Sequence, residues 1–188
     1  MSKRWFTADT HYFHKKAVEF RGFQSVDQMN DLLISRYCDR VNPEDHVYFI
    51  GDITFGKYDE STSILKSPPG IKHLIPGNHD SSKFMRDWEK DGVFVIHDPI
   101  HNIKLGGIHT VLCHFPLLVW DRAHYGSYHL HGHSHGNCKY PDPNTRIMDV
   151  GVDCHPDFAP FSESTIIKWM ANKYYKAYDH HAETIQPE

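Results

Sequence analysis

Residues 71–80 read Ile-Lys-His-Leu-Ile-Pro-Gly-Asn-His-Asp, an apolar run that breaks at a proline and a glycine into three polar side chains. A short run of branched residues bounded by turn formers reads as a buried strand, and the Pro-Gly pair ends it in a loop. The same grammar recurs on both sides. Upstream, Trp5-Phe6-Thr7-Ala8 runs into Asp9, and His46-Val47-Tyr48-Phe49-Ile50 runs into Gly51-Asp52. Downstream, Thr110 to Cys113 leads into His114-Phe115-Pro116, and Tyr128 to His131 leads into Gly132-His133-Ser134-His135-Gly136. Five strand ends thus carry polar clusters. In open α/β sheets ligands gather where loops leave the carboxyl ends of the strands, which makes these clusters the candidate site.

Between the first two runs Met29, Leu33, Tyr37 and Val41 recur every fourth residue, with Leu32 widening the stripe. That spacing predicts an amphipathic helix over about residues 26–40, started by Ser25 or Asp27. Residues 81–90 open on two serines and carry Phe84, Met85 and Trp88, which predicts a second helix whose apolar stripe is core packing. The later half reads richer in strand, at residues 93–96, 101–105, 110–113, 146–150 and 165–170, with Leu105-Gly106-Gly107 as a turn. Strand and helix alternating first and strands crowding later predict an α/β fold with layered, mixed sheets. No linker or repeat divides the chain, so a single domain is expected over residues 1–178, followed by a flexible tail at 179–188.

Composition narrows the function. Apolar residues at 39% and charged residues at 23% fit a soluble globular protein, and no run is long enough to cross a membrane. The N-terminal stretch holds Lys3, Arg4, Asp9, His11, Lys15 and Lys16 in place of the apolar core of a signal peptide. Cys38, Cys113, Cys138 and Cys154 are scattered without a CxxC pair, so a reduced, cytoplasmic protein is expected. A formal charge of −4 lacks the basic footprint of extended nucleic-acid binding, so a nucleotide would have to be gripped locally. The anomaly is histidine, with 17 copies.

The five clusters supply Asp9, His11, Asp52, Asn78, His79, Asp80, His114, His133 and His135. Nearly all are nitrogen or oxygen ligands suited to a borderline divalent metal, and they are too many for one tetrahedral site. Asp9 and His11 are two apart, as are His133 and His135; on an extended backbone such pairs project to the same side, and one metal could be chelated from both pairs. Each piece alone has a plainer reading. Asp9 could cap a turn, Gly51-Asp52 is an ordinary turn dipeptide, residues 78–80 could be loop, and the histidines from 129 to 135 could form an adventitious patch. Their order, each at a strand end, is what points to metal chemistry. His14, His124, His129 and His131 read as partly exposed or supporting histidines. Arg21, Arg36 and Arg122 read as solvated, with a grip on phosphate as the alternative.

Asp9-Thr10-His11, Gly51-Asp52, Gly77-Asn78-His79-Asp80, His114 and Gly132-His133-Ser134-His135 resemble, in order, the five signature blocks of calcineurin-like metallophosphoesterases. The short Asp9 to His14 run and the stretch from Met148 to Asp153 are similar to a small microbial and phage branch. The resemblance implies an αββα sandwich of two mixed sheets flanked by helices, with a dinuclear metal site at the strand ends. It implies that Asp9, His11 and His135 hold one ion, that Asn78, His114 and His133 hold the other, and that Asp52 bridges them. His79 is then the general acid facing the leaving group, and Asp80 orients its ring. The implied cofactors are two divalent ions, manganese first, with iron, zinc or nickel as alternatives. The implied reaction is hydrolysis of a small phosphodiester or phosphomonoester, nucleotide or cyclic nucleotide included, by a hydroxide bridging the two ions. A nuclease acting on single-stranded ends, a non-catalytic interaction scaffold and a histidine-rich metal buffer are the competing readings. Intact blocks favour the enzyme.

Overall fold

In the computed structural model, which describes residues 2–179 and 181, the expected early strands form a parallel set. Strands β1 (Arg4–Thr7), β2 (His46–Ile50) and β3 (Ile71–Ile75) are hydrogen-bonded in order, with Trp5 opposite Val47 and Val47 opposite Lys72. β4 (Val95–Ile96) extends the sheet parallel to β3, and β9 (Phe161–Ser162) closes the other edge antiparallel to β1. The second sheet runs β5 (Ile100–Leu105), β6 (Ile108–Cys113), β7 (Tyr128–His131) and β8 (Ile147–Asp149). Its β5–β6 pair is an antiparallel hairpin, while β6, β7 and β8 are parallel. Both sheets are mixed, and the fold is the layered α/β architecture anticipated.

Side-chain alternation explains the layers. Along a strand, neighbouring residues face opposite sides, so Phe6, Ile50 and Ile75 point one way while Val47, Phe49 and Leu74 point the other. The first set meets Leu105, Leu112 and Leu130 of the second sheet, forming a core between the sheets. The second set packs against Met29, Leu33 and Tyr37 of α2 (Val26–Cys38) and Trp88 of α4 (Ser82–Lys90). Each fully buried Leu or Ile contributes about 1.5–3 kcal/mol relative to exposure, so the two faces register the sheet strongly. The outer face of the second sheet, with Val111 and Ile147, is covered by Trp120, by Ala123 in the short turn Ala123–Tyr125, and by Tyr175.

Ser25 caps α2 by accepting the Gln28 N–H, and Ser81 caps α4 from Phe84. Helices α1 (Lys15–Arg21) and α3 (Tyr58–Lys66) add to the same layer. Residues 165–170, expected as a strand, are instead the body of α5 (Glu163–Met170). The reason is local: Ser162 accepts the Thr165 N–H as an N-cap, and Ile166 and Met170, four apart, are buried together against the inter-sheet core. The tail expected from residue 179 lies, apart from Asp179 and His181, outside the described residues. Among the described residues no helix is long and apolar enough to cross a membrane, and the four cysteines are free thiols.

Candidate metal centre

The parallel strands of both sheets deliver their carboxyl ends to one edge. Asp9 and His11 follow β1, Asp52 follows β2, and Asn78 to Asp80 follow β3; His114 follows β6, and His133 and His135 follow β7. The backbone there is not extended. Asp9, His11, Asp52, His133 and His135 have φ of 54, 49, 57, 68 and 48°, a left-handed region that side chains with a Cβ rarely enter. The same-side geometry expected of residues two apart therefore fails for one pair, His133 and His135, which join different groups, while Asp9 and His11 stay together. Such conformations cost about 1–3 kcal/mol each and persist only where the surroundings over-determine them. Here the Asp9 N–H donates to Gly51 (3.0 Å), the His11 N–H to Asp52 O (3.1 Å), and the His133 N–H to both Asp9 oxygens (2.9 and 3.1 Å). Gly132 permits the last approach, because a Cβ there would fall 2.5 Å from Asp9 Oδ2.

Two groups of potential ligand atoms result, Asp9 with His11 and His135, and Asp52 with His114 and His133, each with one atom per residue within 4.8 Å of the others. The division coincides with the one the resemblance implies. Asn78 Oδ1 lies 3.1 Å from both His114 Nε2 and His133 Nδ1, which puts it in the second group. Asp52 Oδ2 is 3.4 Å from His114 Nε2 and 3.8 Å from His11 Nε2, between the groups. His79 stands in neither; its exposed ring lies 4.9 Å from Phe55 and 6.2 Å from His11.

The chemistry of this donor set calls for cations. His11 is 4% exposed, yet both its ring nitrogens are buried without a hydrogen-bond partner. An unpaired buried polar atom costs about 1–3 kcal/mol, so two on one ring need an occupant. His114 donates from Nδ1 to the Ile50 carbonyl at 2.8 Å, which turns the Nε2 lone pair toward Asn78 Oδ1 and Asp52 Oδ2. These three atoms are acceptors, and only a positive species reconciles them. Protons show the same demand. Although burial opposes its charge, Asp52 raises the pKa of His114; burial likewise opposes the charge of Asp52, but bonds from His114 and the His79 N–H lower its carboxyl.

A supporting network was missed in the sequence. His135 Nδ1 is 2.7 Å from Asp153 Oδ2, and Asp153 is gripped by Arg21 through Nε (2.7 Å) and Nη2 (2.8 Å). Arg21 also donates to the carbonyls of Asp9 (2.7 Å) and Thr10 (3.0 Å), so one guanidinium braces both sides of the first group. Its side chain is 1% exposed, which corrects the expectation of a solvated arginine. The Asp153 bond raises the His135 pKa; burial opposes the Asp153 charge, yet His135 and Arg21 pull its carboxyl down to about 2. A carboxylate behind a histidine fixes the ring and leaves the far nitrogen for a metal. The available signal was that β8, too, ends in acidic residues, Asp149 and Asp153.

The Asp80 carboxylate accepts the N–H groups of Asp52 (2.9 Å), Ile53 (2.9 Å) and Gly77 (2.8 Å). It therefore ties the β2 and β3 loops together. Of the histidines expected to be partly exposed or supporting, His129 and His131 are wholly buried and fall on the supporting side. His129 accepts the Leu117 N–H at Nε2 (3.1 Å) and reaches the Val111 carbonyl through Nδ1 (3.1 Å), holding the loop that carries His114. One cavity, about 610 Å³, is lined by none of the candidate ligands; another, about 500 Å³, borders His135, Arg21 and Asp153. Donor chemistry locates the site better than cavity size does.

No protein-family model matches the sequence. The gene 66 protein of Mycobacterium phage D29 is 32% identical over 87% of this chain and 94% of its own length. An uncharacterised protein of Methanocaldococcus jannaschii is 30% identical over 89% of this chain and 91% of its own. A solved structure of a protein of unknown function from Aquifex aeolicus superposes with a TM-score of 0.71 at 24% identity, covering 89% of this chain and 99% of that one. With these relatives the chain belongs to the family of these phage and archaeal proteins, and its blocks, which resemble those of calcineurin-like metallophosphoesterases, meet at one edge of two mixed sheets.

Proposed function

We propose that the protein is a metal-dependent phosphoesterase that prefers a small phosphodiester to a monoester. The observation that supports this most is the pair of ligand groups meeting at Asp52, with acceptor atoms turned toward one another and both His11 ring nitrogens unpartnered. Asp9, His11 and His135 would hold one divalent ion, Asn78, His114 and His133 the other, and Asp52 both; manganese is the first candidate. Two ions so held supply Lewis-acid stabilisation of a phosphoryl group and lower the pKa of a water. The neutral Asn78 amide ligates without adding negative charge that would repel a phosphate. Asp52 accepts the His79 N–H at Oδ1 (2.9 Å), which fixes the loop that presents the His79 imidazole at the open mouth of the site. From there His79 gives a proton to the departing alkoxide.

A panel of monoesters and diesters, with manganese, zinc, nickel and magnesium supplied separately, tests the reading. His79→Ala should keep its metals and lose about 10²–10⁴-fold on an alkyl ester, and much less on a nitrophenyl ester, whose leaving group needs no proton. Metal uptake without turnover of any ester would contradict the reading.

A further inference from the structure

Three phenylalanines from separate segments stand exposed around the candidate centre: Phe20 at 57%, Phe55 at 41% and Phe115 at 44%. Each lies against a histidine of the site. Phe20 meets His135 edge-on at 5.3 Å, Phe55 stacks on His11 at 5.2 Å, and Phe115 meets His133 at 4.8 Å. Isolated exposed apolar residues are ordinary, but three converging on one polar site form a binding surface. The cavity of about 500 Å³ is lined by Phe20, Phe158, Asn137 and His135, together with Arg21 and Asp153. That volume falls within the range of about 300–1,000 Å³ that seats a small organic ligand.

The polar chemistry of this cavity selects the ligand. Its arginine, Arg21, is committed to Asp153 and two carbonyls, so the wall offers a second phosphate no free guanidinium. Asn137 donates its side-chain N–H to the His135 carbonyl at 3.0 Å, which fixes the amide and leaves its oxygen to accept from a ligand. Phe158 holds φ of 55°, a strained conformation for a bulky side chain, and its ring is braced by Phe23 at 5.5 Å. The Arg21 guanidinium lies 5.4 Å from the centre of the Phe20 ring, which leaves that ring one face for a ligand; with Phe158 and a fixed amide on the wall, the lining suits a flat heterocycle with amino or ring N–H groups at its edge.

Resting on the phosphoesterase reading, we propose that the cavity lined by Phe20 and Phe158 is a nucleobase subsite, which makes the substrate a nucleotide ester whose base stacks on Phe20 while its phosphate faces His135 and Asp52. Phe55, beside His79, then lines the side by which the leaving group departs. Stacking supplies a grip that a chain of formal net charge −4 is ill placed to draw from charge alone.

Calorimetry on chelator-treated protein, comparing adenosine monophosphate with ribose 5-phosphate, tests this without catalysis. The two probes share sugar and phosphate and differ by the base. We expect the nucleotide to bind about tenfold tighter or more, and Phe20→Ala to remove most of that advantage while later metal uptake is unchanged. Phe20→Leu keeps apolar area without a π face and should behave like the alanine variant. Equal binding of the two probes, or an advantage that survives both substitutions, overturns the subsite. Base-selective binding with no hydrolysis of any ester would defeat the phosphoesterase reading and leave the subsite standing; hydrolysis without base selectivity would do the reverse.

Discussion

Two histidine clusters occupy this molecule, and only one is built for a metal. On the first sheet His46 Nδ1 lies 2.8 Å from His73 Nε2, and His73 Nδ1 lies 2.9 Å from His97 Nε2. His73 stacks with Tyr48 at 4.5 Å and with the rings of His46 and His97, and both of its nitrogens are paired. At the strand ends His11, His114, His133 and His135 face carboxylate and amide oxygens, with the His11 nitrogens unpartnered. A count of histidines cannot separate the two. Hydrogen-bond satisfaction can: imidazoles paired to one another through His73 are structure, while acceptors left facing one another mark a cation site.

The comparison breaks first at Asp52. Replacing Asp52 by Asn keeps the shape but removes the charge shared between the two groups. Turnover should fall to near background, with at least one ion lost by elemental analysis, while the fold survives by circular dichroism. Wild-type turnover with full metal content would remove Asp52 from its bridging place. A smaller effect is expected one step back, at Asp153. Asp153→Asn leaves Arg21 without its anion and His135 without its orienting carboxylate, and should weaken metal affinity about 10–100-fold, measured by competition with a chelator. Unchanged affinity would reduce the Arg21–Asp153 pair to a packing feature.

The smallest effect belongs to the paired cluster and should be seen only in stability. Burial, followed by the neighbouring His97 and His46, pushes His73 down to about 4. Burial also pushes His129 down to about 3. Unfolded chains bind protons at these residues near pH 6.5 while the folded protein does not, so their stability contribution is present above about 6.5 and lost as pH falls toward 4. Thermal unfolding should therefore soften through that window. His73→Asn should flatten the slope, with His129 sustaining the remainder, and leave metal content untouched. A metal-loading defect in His73→Asn would dissolve the distinction between the clusters.

The strands and their clusters were legible because both are local signals. Apolar runs stopped by Pro76-Gly77 or Gly51 need only neighbouring residues to be read, and so does the fourfold spacing of α2. The partition of His133 and His135 between groups was not legible from spacing, because it depends on left-handed φ values imposed by bonds from Asp9 and elsewhere. Arg21 and Asp153 are 132 positions apart and meet only when α1 closes over β8's end. The three amide bonds to Asp80 were not legible either, because two of them come from the loop after β2, at Asp52 and Ile53. The segment at 165–170 was ambiguous because short apolar runs suit strand or helix, and the cap at Ser162 decided it.

The most direct measurement is anomalous diffraction from a manganese-loaded crystal. Two ions should appear per chain, about 3.5–4 Å apart as paired catalytic metals are. Asp52 should lie between them, with Asp9, His11 and His135 on one and Asn78, His114 and His133 on the other. A single ion, a cysteine ligand, or manganese seated on His46, His73 and His97 would contradict it.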